Sequence, residues 1–361
     1  MHTIGFYGLG LIGGSIARAI REKHPGTRII AYDPDRTSLA EAYHDGVADL
    51  AADGAGPVFT ECDIIFLCAP VERNEENLKL LAPYLREDAI LTDVGSVKST
   101  MHRHVRAAGL SSRFIGGHPM TGSERIGYRN SKARFLENAF YILAPEPEFP
   151  EDQTAFMESF VRSLGAIPLR LDSKTHDLAT AAISHLPHVV SASLVNLVRE
   201  SDRDDGLLRM LAAGGFKDIT RISSSSPVMW EQICLTNTGN ILELLDRYVD
   251  LLQSFRDLLT ERDGDRIRDF FSDARTYRDS FADLSSGPIR RTYIIHADIE
   301  DHPGVIAAIV QLLAADNINI RNLGISHNRE YQEGVLRMEF DTQDALDRAR
   351  VLLADNGYTL H

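Results

Sequence analysis

The chain has 361 residues, 43% of them hydrophobic and 25% charged, with a net charge of −14. That length exceeds one ordinary core and predicts two or three domains, while the acidic balance argues against a nucleic-acid partner, which needs clustered Lys and Arg. No apolar run reaches the ~18 residues needed to span a bilayer, no basic segment with an apolar stretch opens the chain as a signal peptide would, and three cysteines without metal-ligand spacing (Cys62, Cys68 and Cys234) read as reduced packing residues of a cytoplasmic protein.

The first element is an apolar strand, Thr3–Tyr7, followed by Gly8-Leu9-Gly10-Leu11-Ile12-Gly13 and a helical pattern from Gly14 to Lys23. A second apolar run, Arg28–Tyr32, ends at Asp33, 20 residues after the third glycine. This is G-x-G-x-x-G between a strand and a helix with a distal acid. Gly8 permits the tight turn, Gly10 lets the backbone approach a pyrophosphate, and Gly13 lets helix and strand pack closely. Unpaired N–H groups at the helix start attract the phosphates. Asp33 is placed to accept hydrogen bonds from a ribose 2′-hydroxyl and to repel a 2′-phosphate. The segment therefore predicts an NAD site with Gly8–Gly13 and Asp33 as its residues.

Further strands are expected at Asp63–Ala69, Ala89–Val94, Phe114–Gly117, Phe140–Ala144 and Ile167–Leu171, with helices at Asp35–Tyr43, Val71–Leu85, Lys98–Ala107 and Asp152–Leu164. Such alternation signals a parallel sheet with covered faces. Cys68-Ala69-Pro70 closes one strand at the carboxyl edge, where ligands bind in such sheets, so Ala69 and Pro70 join the cofactor residues. From Asp172 to about Ser285 the pattern becomes helical, with strongly apolar faces over Leu178–Glu200 and Trp230–Thr260. Faces this apolar suggest a homodimer interface, a self-contained monomeric bundle being the alternative. Leu284–Pro288 reads as a linker. After it come a strand at Thr292–Ile299, a helix at Pro303–Ala315 and strands at Ile318–Ser326 and Gly334–Phe340. A helix at Gln343–Ala354 and a short strand at Tyr358–His361 complete β-α-β-β-α-β, the ferredoxin-like split βαβ. Domains are thus expected at 1–171, 172–286 and 290–361.

Four polar segments stand out. Thr92-Asp93-Val94-Gly95-Ser96-Val97-Lys98 ends a strand and starts a helix; taken alone, Ser96 reads as an N-cap. Gly116-Gly117-His118-Pro119-Met120, with Thr121-Gly122-Ser123-Glu124 behind it, follows another strand at the ligand edge. The two glycines let the backbone approach a ligand closely, and a histidine there accepts a proton near neutral pH; a surface-loop histidine is the competing reading. In His176-Asp177 and Ser184-His185-Leu186-Pro187-His188, Ser184 and His188 share a helix face beside a proline kink. No acid or cysteine completes a zinc ligand set at helical spacing, so no metal is expected, and substrate hydrogen bonding competes with buried structural histidines. In Gly214-Gly215-Phe216-Lys217-Asp218-Ile219-Thr220-Arg221, Arg221 offers a planar fork for a carboxylate. Trp230, the only tryptophan, reads as core. A nicotinamide site, a base, hydroxyl donors and a carboxylate clamp suit NAD-dependent oxidation of an alcohol on an acidic substrate.

On Gly8–Ser15, Asp93–Lys98, Gly116–Met120, Ser184–His188 and Gly214–Arg221, in that order, the chain resembles the prephenate dehydrogenase family over its whole length. The resemblance implies a Rossmann-type domain, an all-α domain in a 6-phosphogluconate-dehydrogenase-like arrangement and a C-terminal ACT domain. It implies oxidative decarboxylation of prephenate to 4-hydroxyphenylpyruvate, with hydride passing to NAD. By similarity His118 is the base and Ser96 helps to orient it. His188 and Arg221 hold the substrate with Ser184 beside them, and Glu124, His176 and Asp218 form a polar network at the mouth. In the unit resembling an ACT domain, Asp301, His302, Pro303, Gly304, Asn317 and Asn319 lie where such domains bind amino acids, and tyrosine is the natural feedback ligand. Arogenate dehydrogenase, a β-hydroxyacid dehydrogenase and a non-catalytic NAD-binding sensor are the alternatives.

Overall fold

The computed structural model describes residues 2–122, 125–283, 293–300, 302–326 and 334–361. The expected linker Leu284–Pro288 and two candidate site residues, Glu124 and Asp301, lie outside the described residues. The chain divides into two units, Met1–Asp257 and Leu258–His361.

The first unit is built on an eight-stranded sheet: β1 (Thr3–Tyr7), β2 (Arg28–Tyr32), β3 (Leu50–Ala51), β4 (Ile64–Leu67), β5 (Ile90–Asp93), β6 (Phe114–Pro119), β7 (Phe140–Pro145) and β8 (Ile167–Arg170). Their spatial order is β3-β2-β1-β4-β5-β6-β7-β8. The first six run parallel, in the doubly wound order of a Rossmann sheet. Helices α1 (Leu11–Lys23), α2 (Arg36–His44), α3 (Val71–Leu81), α4 (Ser99–Ala107) and α5 (Glu151–Ser163) connect and cover the strands. Apolar strand residues alternate between two cores. Ile4, Phe6, Ile29, Ile64 and Phe66 pack with Ile16 and Ile20 on one face, and Ile30, Ile65, Leu67 and Leu91 pack with Leu78, Met101 and Val105 on the other.

The expected all-parallel pattern fails at one pair. Strand β7 runs antiparallel to β6, with His118 opposite Ile142 and Pro119 opposite Tyr141. Among its described residues the connection between them holds only the short 3-10 turns Tyr128–Asn130 and Ala133–Leu136. Without a crossover helix the chain returns directly, which makes the pair antiparallel. Helix α5 restores a crossover, and β7 and β8 pair in parallel.

After β8 the described residues up to Asp283 are helical: α6 (Ser173–Thr180), α7 (Leu186–Ser201), α8 (Leu207–Leu211), α9 (Gly214–Thr220), α10 (Pro227–Thr236), α11 (Thr238–Glu261) and α12 (Gly264–Asp283). Asp172 starts α6 by accepting hydrogen bonds from the Lys174 and Thr175 N–H groups. Helices α6 and α7 join through a π-helical turn, Ala181–His185. Pro187 explains it: its ring and missing N–H disrupt a regular turn, and the wider turn absorbs both. The joined helix Ser173–Ser201 is 29 residues long and apolar enough to cross a membrane by length and composition, although no uninterrupted apolar run predicts it. Ile183, Leu197, Met210, Leu211, Ile219 and Leu235 are each more than half exposed, an apolar surface too extensive to be incidental.

The second unit contains α12 and a three-stranded antiparallel sheet, in the order β10 (Asn322–Ser326), β11 (Gly334–Phe340), β9 (Tyr293–Ile299). Helices α13 (Val305–Ala315) and α14 (Gln343–Asp355) supply Ile309, Leu313, Leu346 and Leu353 to a core with Ile295, Ala297, Leu336 and Met338. Leu360 bridges Ala297 in the antiparallel sense, so the final segment lies beside β9. Strand β10 begins four residues later than expected. Asn317 adopts a left-handed φ of 55° and Ile318 turns into the core, ending the helix connection before the strand starts.

Candidate active site

Gly8 has a φ of 103°, and a Cβ there would sit 2.8 Å from the Ala69 nitrogen. A Cβ on Gly13 would meet the Gly8 oxygen at 2.8 Å and Cys68 Cβ at 2.9 Å, whereas one on Gly10 would meet nothing within 4 Å. The two outer glycines thus close-pack the loop against the end of β4 at Cys68-Ala69-Pro70, and the middle one leaves the backbone open. Gly10 is the N-cap of α1 and no side chain caps the helix, so its first N–H groups face that open space. Asp33 accepts hydrogen bonds from the Leu9 N–H (2.5 Å) and, on its other oxygen, the Asp35 N–H (2.8 Å). A carboxylate has about four acceptor positions, which leaves Asp33 capacity for a ribose hydroxyl. These residues fit a dinucleotide, with Leu11 and Ile12 at the helix start beneath it.

The polar segments converge at the carboxyl ends of β5 and β6. Asp93 and Lys98 are completely buried and form an ion pair. Lys98 Nζ also donates to the Gly117 carbonyl at 2.6 Å, and Asp93 accepts from the Gly117 N–H at 3.1 Å and the Gly95 N–H at 3.0 Å. The pair therefore grips both backbone groups of the residue before His118. Burial lowers the Lys98 pKa while the Asp93 charge pulls it back up. The glycines of Gly116-Gly117 serve this packing rather than approach to a ligand. A Cβ on Gly116 would lie 2.8 Å from His102 Nε2, and one on Gly117 would collide with the Asp93 carbonyl oxygen.

His118 Nδ1 lies 2.8 Å from His176 Nε2, and His176 Nδ1 lies 2.8 Å from Asp177 Oδ1. Asp177 also accepts from the Lys98 N–H at 2.7 Å and the Ser99 N–H at 2.8 Å. Helix α4 starts at Ser99, so the acceptor for its first N–H groups is this carboxylate 78 residues away. Ser96 instead sits half-buried in the turn ahead of it. Burial opposes ionisation of Asp177, but its hydrogen bonds with His176, Lys98 and Ser99 hold its carboxyl below the usual range. Burial first, then His176, Lys98 and His185, push His118 well below the ordinary histidine value. His118 is thereby kept neutral, the state a base requires.

His176 and Asp177 are each 1% exposed, so His176 is enclosed behind His118 and not at the mouth of the site, where the family resemblance set it. The Asn237 amide donates to the Asp177 carbonyl at 2.8 Å and lies 3.1 Å from His185 Nδ1. Burial pushes His185 down to about 4. His188 donates from Nδ1 to the Ser184 carbonyl at 2.9 Å, which leaves Nε2 for a ligand. Trp230 is not core: its ring stacks on His188 at 3.8 Å between centroids, and its buried Nε1 has no hydrogen-bond partner among the described residues. Burial lowers the His188 pKa, and the Arg221 charge adds to that effect, which sets Arg221 near it electrostatically. Ser191 on α7 bonds Ile219 and Ser223 and so fixes the segment carrying Arg221. Lys217 and Asp218 are exposed on α9. Among the described residues no group of three or more His, Cys, Asp or Glu is arranged to hold a metal ion.

Sequence reading missed Asp93, Lys98, Asp177, His185 and Asn237. The first four lay inside the segments singled out, with polar side chains in apolar surroundings as their only signal. Asn237 is recognisable only from the fold.

Residues 16–168 match the family model described as the prephenate dehydrogenase nucleotide-binding domain, and residues 172–273 that of the prephenate dehydrogenase dimerization domain. The chain is 38% identical to a prephenate dehydrogenase of Bacillus subtilis over 350 residues, 96% of this chain and 94% of the relative. Among solved structures it is similar to A. aeolicus prephenate dehydrogenase in complex with hydroxyphenyl propionate and NAD+ (TM-score 0.74, 28% identity, 78% of this chain and 98% of that one). It is also similar to Synechocystis arogenate dehydrogenase (TM-score 0.69, 30% identity, 77% and 99% coverage).

Proposed function

The chain belongs to the prephenate dehydrogenase family, and from that premise we propose that it oxidises and decarboxylates prephenate to 4-hydroxyphenylpyruvate at the site around His118. The observation that carries this reading is a half-buried histidine at the carboxyl edge of β6, its pKa lowered, backed by the buried His176 and Asp177. The loop after it passes the glycine loop: a Cβ on Gly122 would lie 4.0 Å from Ile12 Cδ1.

Bound along Gly8–Gly13, Asp33, Ala69 and Pro70, NAD supplies the hydride acceptor. His118 accepts the proton of the substrate 4-hydroxyl as hydride leaves C4, and Ser96 orients that hydroxyl. Arg221 and His188 hold the substrate carboxylates, with Ser184 and Trp230 setting the His188 ring. Glu124 and Asp218 are assigned to the mouth of the site. Departure of CO2 from the ring needs no further protein group, because aromatisation drives it; the site contributes mainly orientation.

We also propose a division into a cofactor domain at 1–171, a helical domain at 172–286 and an ACT domain at 290–361. The β-α-β-β-α order and the Leu360 bridge beside β9 support the last of these. Tyrosine is its ligand, near His302, Pro303, Gly304, Asn317 and Asn319, with Asp301 carried over from the family pattern. The exposed apolar side chains on α7 to α10 support a homodimer, the three free cysteines suit a cytoplasmic enzyme, and the net charge of −14 disfavours a nucleic-acid partner. The test is NADH formation with prephenate, arogenate and 3-hydroxyisobutyrate side by side, with and without tyrosine. Turnover of prephenate, slowed by tyrosine, is expected. Turnover of arogenate alone would move the substrate, no turnover would leave a sensor, and indifference to tyrosine would remove the ACT ligand.

A further inference from the structure

We propose that Asp177 and His176 are positioning residues that fix which ring nitrogen of His118 carries its proton. The inference rests on the reading of His118 as base and concerns what prepares it. Asp177 faces four groups: the Lys98 N–H, the Ser99 N–H, His176 Nδ1 and, through its own carbonyl, the Asn237 amide. An ionised carboxylate only accepts, so His176 holds a proton on Nδ1 and presents the Nε2 lone pair to His118. His118 must then donate from Nδ1, which leaves its Nε2 as the acceptor. The rings meet edge-on at 5.1 Å between centroids, and His176 is 1% exposed, so water does not compete for its Nε2 at the shared edge. The same carboxylate holds the start of α4. It thereby ties the turn bearing Ser96 to the helix bearing His176.

The geometry makes the effect of Asp177→Asn specific. Oδ1 accepts from both the Lys98 N–H and His176 Nδ1, while Oδ2 accepts from the Ser99 N–H. An amide cannot accept on both sides. If its NH2 faces the helix, an N–H opposes the Ser99 N–H. If it faces His176, it donates to Nδ1, moves the His176 proton to Nε2, and forces the His118 proton onto its own Nε2. The second arrangement turns the base into a donor.

The test uses the full-length protein labelled with ring-15N histidine, with the His118 signals assigned by their loss in His118→Asn. The wild type is expected to carry the His118 proton on Nδ1, and Asp177→Asn to shift it to Nε2. His176→Gln leaves Asp177 and its bonds to Lys98 and Ser99 in place, so it separates the relay from the support of α4. Both variants should lose kcat for prephenate roughly a hundredfold or more, with KM changed less than about threefold, as for a group that acts at the transition state. A wild-type proton on Nε2, or His176→Gln with near-normal kcat beside an inactive His118→Asn, overturns the proposal. If His118→Asn itself keeps wild-type kcat, the base reading fails and the catalytic consequence falls with it, whatever the spectrum shows.

Discussion

His118→Asn is expected to lower kcat by about a hundred- to ten-thousandfold, the range a positioned general base contributes, with little change in NAD affinity. The reason is spatial separation of duties. The cofactor residues lie on the β1–α1 loop, at Asp33 and at the end of β4, and the imidazole lies on β6. Asparagine keeps a donor toward His176 and roughly preserves the volume, but its amide has negligible basicity. Direct titration of NAD, beside steady-state rates with prephenate, separates the two effects. Near-normal kcat would remove His118 from the chemistry, and a large loss of NAD affinity would place it in the cofactor site.

Lys98→Met is expected to cost about 3–5 kcal/mol of stability, the usual consequence of removing one partner of a buried ion pair. Methionine matches the length of the lysine stem but leaves the Asp93 charge without a counter-ion and the Gly117 carbonyl without its donor. Asp93 retains the Gly117 and Gly95 N–H groups, which limits the damage. At about 2–4 °C per kcal/mol for a unit of this size, the melting temperature should fall by roughly 10 °C. Adding Asp93→Asn should recover part of the loss, because no buried charge then remains. Activity should fall as well, since the pair holds the residue next to His118. A cost below about 1 kcal/mol in thermal unfolding would show that the pair does not support the strand.

The strands and helices of the first 170 residues were legible because period and punctuation agree there. Strand β1 is buried on both sides, Asp35 caps α2 through the Thr37 N–H, and glycine and proline mark the turns. The reversed β7 was not legible, because an apolar strand carries no mark of its direction; only the absence of a helix among the described residues between Pro119 and Phe140 hints at it. Strand β3 has two residues and no period to read. Of the candidate site, His118, His176, His188 and Arg221 were found from their type, and Asp93, Lys98, Asp177 and Asn237, which hold the site from behind, were not. Asp93 and Lys98 are separated by a strand end, a turn and a helix start, so neither helical nor strand spacing pairs them. Nothing in the sequence singles out Asp177 from the chain's 52 acids as the partner of an N–H group 78 residues earlier. Trp230 was misassigned because a lone tryptophan at helical spacing looks the same whether it packs on a core or on His188.

The central claim is that a neutral His118 accepts the substrate proton, and the pH dependence of kcat at saturating prephenate and NAD tests it most directly. His118 is faced by His176, Lys98 and His185, with Asp93 and Asp177 behind them, and burial first, then these neighbours, lowers its pKa well below 6.5. A base with a lowered pKa stays neutral and active through pH 6.5, and is lost only as the pH falls through that lower value. The acid limb of kcat is therefore predicted to have its midpoint below about 6.5 and to be absent from the residual activity of His118→Asn. An acid limb centred at or above the ordinary histidine value, or one that persists unchanged in His118→Asn, would contradict the account.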